Sequence, residues 1–243
     1  MALTAEIRWF WPHATPSAFA VWFRSSLHHE CMVGGGRSYT DTHLVWEGHP
    51  RWDIRRRSGS ISVRAHQTSV PDGCDVAPFQ GEIALWFDLI SQHEPPSGAV
   101  PVDLAGRHWI RVFDTGDRQL REIRQMASGW PTKLMPVDAG PHCQVDLAEY
   151  ELGDFGERWA TFGLTATGPG ETLAASIRRT AAVLNERRPP ALEDAFVTTL
   201  PQWLLSLSPF WRHGAALRHH RAAHAGHAEL RPAQMAAAPG AAN

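Results

Sequence analysis

Polar and apolar residues alternate through Thr4–Phe10, the period of a strand with one face buried. Thr15 and Pro16 then read as an N-cap and first helical position, and Phe19, Trp22 and Phe23 recur at i, i+3 and i+4. A short amphipathic helix is expected over about residues 17 to 27. Strand-like runs follow at 37–46, 52–57, 60–66, 80–90, 107–113, about 118–125, 142–152 and 158–165, with Ser58-Gly59 as a tight hairpin turn. Roughly eight or nine short antiparallel strands suit a barrel or a sandwich.

The pattern changes after Gly168-Pro169-Gly170. Leu173, Ile177, Ala181 and Leu184 share one helical face, with arginines off that stripe. Pro189-Pro190 reads as the opening of another helix, with Glu193 and Asp194 in its first turn, and Pro201–Leu205 begins a further apolar stretch. From Arg212 onward no apolar stripe is sustained. The expected organisation is one domain over residues 3–210 and an Ala/His-rich mobile tail over 211–243.

With 43% hydrophobic and 20% charged residues, the chain has a globular composition. No apolar run approaches the ~20 residues that span a bilayer, which argues against a membrane protein. Three cysteines cannot all pair within one chain, and none lies in a Cys-x-x-Cys spacing, so a reduced cytoplasmic setting is expected. Lys133 is the only lysine among 23 basic residues, yet the formal net charge is −2. That balance argues against a broad nucleic-acid-binding face and makes any anion site local.

The candidate chemistry lies in strand parity. Thr4, Glu6 and Arg8 share one face of the first strand, opposite Ala5, Ile7 and Trp9. Arg55 and Arg57 share a face of theirs, and Ser62, Arg64 and His66 share one across the hairpin. Pointing outward, these faces make an ordinary solvated sheet. Pointing inward, they place several guanidiniums in one cavity, which demands an anionic ligand or carboxylate partners.

The order of these motifs resembles the CYTH family of triphosphate tunnel proteins, which includes tunnel-class adenylate cyclases, thiamine triphosphatases and inorganic triphosphatases. The opening Glu-x-Glu-x-Lys matches Thr4, Glu6 and Arg8, and Asp-x-Tyr-Leu matches Asp41-Thr42-His43-Leu44. The basic hairpin resembles 54–64, a later Val-Glu-Leu strand resembles Cys143–Glu149, and 159–168 resembles the strand and turn before the late helix. The resemblance, over about residues 3–205, implies an α+β, mainly β fold. Its expected form is an antiparallel tunnel barrel of about eight strands, with flanking helices and a C-terminal helical segment.

By the same resemblance, Arg8, Arg55, Arg57, Arg64 and Arg111 would bind a triphosphate-containing small molecule or inorganic polyphosphate. Glu6 and Asp146 would hold Mg²⁺ or Mn²⁺, with Glu6 as the catalytic residue of a metal-dependent triphosphatase. Three expected carboxylates are replaced by Thr4, Ser62 and Thr165. A hydroxyl is a poor ligand for a hard divalent ion, so a non-catalytic phosphate-binding or scaffolding module is the alternative. The histidines at 219, 220, 224 and 227 fit a His-rich tail better than a metal site, and His28-His29-Glu30-Cys31 matches no standard zinc spacing.

Overall fold

In the computed structural model, residues 2–12, 18–26, 37–57, 60–91, 97–115, 121–123, 141–152, 157–192 and 194–207 are described. The strands are β1 (Ala2–Pro12), β2 (Arg37–Val45), β3 (Trp52–Arg57), β4 (Ser60–Val76), β5 (Phe79–Ser91), β6 (Val100–Asp114), β7 (Arg121–Ile123), β8 (His142–Leu152), β9 (Glu157–Thr167) and β10 (Phe196–Val197). The helices are α1 (Ala18–Ser26), α2 (Leu173–Glu186) and α3 (Leu200–Ser206). The Ser58-Gly59 turn, the 211–243 tail and the histidine motifs lie outside the described residues.

Eight strands close in the order β1-β5-β4-β3-β2-β6-β8-β9, with β9 returning to pair along β1 from Thr4↔Thr167 to Pro12↔Trp159. All pairings are antiparallel. The α+β, mainly β class and the closed eight-strand barrel expected from the sequence are what the chain adopts. Of the expected strand at 118–125, the described residues form β7, which pairs with β6 outside the barrel path.

The main apolar core lies outside the barrel wall. Ala5, Ile7, Trp9 and Trp11 of β1 join Val145 and Leu147 of β8 and Phe162 and Leu164 of β9 on the outward faces. Phe19, Trp22 and Phe23 of α1 and Leu173, Ile177, Ala181 and Leu184 of α2 cover them. The stripe on α2 is fully buried, and each of its leucine and isoleucine side chains contributes roughly 1.5–3 kcal/mol relative to exposure.

A second cluster fills one end of the barrel. Phe10, Val45, Val102, Leu104, Ala148 and Tyr150 face inward there and pack with Trp203, Leu204 and Leu207. Trp203 stacks on Phe10 at 4.7 Å between ring centroids. A Thr199/Gln202 capping box and Pro201 in the first turn start α3 at this position.

Residues 189–199 correct one expectation. The proline pair does not open a helix: Arg188 and Asp194 take positive φ values of 51° and 59°, and the chain then forms β10. Residues preceding proline are steered away from the α region. β5 pairs with β1 only as far as Glu6↔Ala84, so β10 takes up the edge beyond it, at Trp9↔Val197 and Phe10↔Phe196.

Candidate functional site: a charged layer inside the barrel

Register places Thr4, Glu6 and Arg8 on the inward face of β1, opposite the face buried under α1 and α2. Asp53 and Arg55 of β3, Arg64 of β4 and Asp146 of β8 also face inward. Arg64 pairs with Asp53 and Asp88 across the neighbouring strands, while Asp146 stands beside Gly163, which stands beside Arg8.

These side chains form one connected layer. Arg8 Nε donates to Glu6 Oε1 at 2.6 Å, Nη1 to Asp146 Oδ2 at 2.8 Å and Nη2 to Asp146 Oδ1 at 3.0 Å. Arg64 Nη1 donates to Glu6 Oε2 at 2.7 Å, and its Nε and Nη2 both reach Asp53 Oδ2, at 3.0 and 2.6 Å. The Arg64 guanidinium lies 5.0 Å over the Trp86 ring. A histidine stands at each end of the layer. His43 Nδ1 is 3.5 Å from Asp53 Oδ1, and His108 Nε2 is 3.3 Å from Asp146 Oδ2.

Gly163 makes the bidentate Arg8–Asp146 pair possible. A Cβ there would come within 2.5 Å of Arg8 Nη2 and 2.9 Å of Asp146 Oδ1. The two side chains thus meet over a strand that has no side chain at that point.

The electrostatics follow from burial and pairing. Burial alone would raise the Glu6 carboxyl, but Arg64 and Arg8 outweigh it and hold it below the ordinary glutamate value. Asp146 is burdened the same way and is held far down by Arg8 and His108. Asp53 is held far down by Arg64 and His43. Asp88, half-buried in the same interior, is pushed up by desolvation, which Arg64 only partly offsets. The three carboxylates of the layer are therefore held ionised by the guanidiniums between them.

The other sequence-based candidates separate. Arg55 lies toward the end of the barrel away from α3, its side chain 38% exposed and its Nη1 3.9 Å from Asp41 Oδ2. Arg57 ends β3 beyond it, paired with Ser60 in register, and its side chain lies outside the described residues. Arg111 pairs with Val145, on the outward face, so it does not join Arg8, Arg55 and Arg64. Thr4, Ser62 and Thr165 stand on inward-facing register positions.

Asp53, His43, His108 and Thr161 also belong to the layer; His43 and Thr161 lie in motifs quoted above, but the sequence gives none of the four a site role. Asp53 shares strand parity with Arg55, a signal that was available. The other three are assigned only by cross-strand register. Thr161 accepts a 3.3 Å hydrogen bond from Arg8 Nη1.

The donor set does not fit a divalent ion. All four carboxylate oxygens of Glu6 and Asp146 already accept from guanidinium nitrogens. Among the described residues, no group of three or more His, Cys, Asp or Glu side chains is arranged to hold a metal. No helix among them is long and apolar enough to cross a membrane. No protein-family model, curated protein or solved structure matches this chain.

Proposed function

We propose that this protein is a non-catalytic phosphoanion-binding barrel of the CYTH-like tunnel type. Its ligand would be a triphosphate-containing small molecule or inorganic polyphosphate, entering at the end opposite α3. The observation that carries the reading is Arg55. It faces the barrel interior, is partly exposed, and is held to Asp41 only at ion-pair distance, 3.9 Å. A guanidinium so placed has its planar fork available for a phosphate. Arg64, 24% exposed and bonded to Glu6 and Asp53, would form the floor that the ligand's innermost oxygens approach. Metal-dependent hydrolysis is the less favoured reading, because the Glu6 and Asp146 oxygens it requires are engaged by Arg8 and Arg64.

Calorimetry and thermal denaturation with tripolyphosphate, ATP and thiamine triphosphate, at low salt and with or without Mn²⁺, test this proposal. At least one of them should bind, and Arg55→Gln should weaken it ten- to a hundredfold, the loss of about 1.5–3 kcal/mol expected for one charge-assisted contact. Failure of all three to bind rejects the reading. Phosphate release that requires Mn²⁺ and is abolished by Glu6→Gln would replace it with the triphosphatase.

A further inference from the structure

We propose that Arg8 is a resident counter-cation. Its guanidinium fills the position between Glu6 and Asp146 at which a divalent ion would otherwise sit, so the barrel needs no metal, and shortening Arg8 converts the carboxylate pair into a divalent-cation site. The resemblance supplies only the comparison with a metal-bearing barrel; the inference itself stands on three independent features of this chain.

The first is saturation. All three guanidinium nitrogens of Arg8 are used on the two acids, Nε on Glu6 and both Nη atoms on Asp146. The side chain is only 12% exposed and the two carboxylates 5% and 2%. An incoming anion would have to strip Arg8 of two buried carboxylates to use it, whereas Arg55 is 38% exposed and meets Asp41 at the longer distance of 3.9 Å. Arg8 therefore holds the acids and leaves ligand recognition to other residues.

The second is the cradle. Gly163 lies in register between Arg8 and Asp146, and a Cβ there would overlap both side chains. The space is shaped for a planar fork bridging two strands across an intervening one. The third is charge. Within the layer, the three carboxylates Glu6, Asp53 and Asp146 are met by two guanidiniums, Arg8 and Arg64, with His43 and His108 against the two outer acids. Removing Arg8 leaves two buried carboxylates facing one another with only Arg64 and His108 to answer them. A small divalent ion is well suited to neutralise such a pair.

The experiment uses the full chain and Mn²⁺ alone, and needs no phosphoanion, so it is independent of the function proposed above. Manganese binding is followed by electron paramagnetic resonance of the free ion, and stability by thermal denaturation. Wild type should bind no stoichiometric Mn²⁺, and its melting temperature should not respond to the ion. Arg8→Met should melt lower, regain stability with Mn²⁺, and bind one equivalent at least tenfold more tightly than wild type. Adding Glu6→Gln to Arg8→Met should abolish that gain. A wild-type chain that binds one Mn²⁺ equivalent, with affinity lost in Asp146→Asn, overturns the inference. An Arg8→Met variant with no gain in Mn²⁺ affinity also overturns it. If that variant stays unfolded with and without Mn²⁺, the inference fails too, because the site would then require the fork and not its charge.

Discussion

On one side of β1, Ala5, Ile7, Trp9 and Trp11 are sealed beneath α1 and α2; on the other, Thr4, Glu6 and Arg8 look into the barrel, two of them bound into a salt-bridged layer. Both faces are well buried, yet they are stabilised differently. The outer face gains from removing apolar area from water, an additive and nearly non-directional term. Each of its side chains contributes whether or not a particular neighbour is present. The inner face gains only if every charge finds its partner, because an unpaired buried ion costs far more than a pair returns. One barrel wall thus carries a tolerant surface and an all-or-none surface, separated by the thickness of a sheet.

The sharpest way to break the inner face is Asp146→Asn, which leaves Arg8 without its bidentate partner. It should cost about 3–5 kcal/mol in denaturant unfolding. Titration should reach the same bonds. Glu6, Asp53 and Asp146 are depressed below their ordinary values, so the stability they contribute is fully present above about pH 4–5. It should be lost progressively as pH falls below that range toward the native-state values. A stability that stays flat from pH 6 to pH 2 would contradict the ionised layer.

On the outer face, Ile177→Ala removes a fully buried side chain from the α2 stripe and should cost about 2–5 kcal/mol. The distinguishing measurement is its pH dependence. The Ile177→Ala loss should be the same at pH 7 and pH 3.5, whereas the Asp146→Asn loss should shrink as the Asp146 carboxylate of the unfolded chain takes up a proton that the folded layer refuses.

Gly163→Ala tests the join between the faces. Its added methyl collides with Arg8 and Asp146, a clash expected to cost about 1–3 kcal/mol. In a background with both Arg8→Met and Asp146→Leu the added cost should fall, since the collision partners are then apolar and free to repack. An undiminished cost would assign the effect to the β9 backbone. The smallest effect is expected for Arg55→Gln, whose partly exposed ion pair to Asp41 should contribute less than about 1 kcal/mol to the free protein. A larger loss would place Arg55 in the structural layer and remove it from the proposed ligand surface.

Parity along single strands made much of the architecture legible. The alternation in Thr4–Phe10, the i, i+4 stripe on α2 and the aromatic stripe on α1 are local consequences of the 2.0 and 3.6 periods, and each element formed where its pattern lies. That Glu6 shares a face with Arg8, and Arg55 with Asp53, follows from the same rule. The rule does not say which face is inside. In this barrel the apolar face turned outward because helices cover it, an arrangement that no single strand specifies.

What only the tertiary structure decided is partnership. Asp146 is 138 residues from Arg8 and reaches it across β9 through a gap left by Gly163. His108 and His43 arrive from strands with no sequence relation to either acid. Arg111 fell on the covered face through the register of β6 against β8. The sequence by itself determined which residues carry charge and how they alternate, because those properties are local. It could not determine that the arginines would be answered by carboxylates within the chain. That depends on the closing register of eight strands, where a one-residue slip would turn every inward charge into the apolar core.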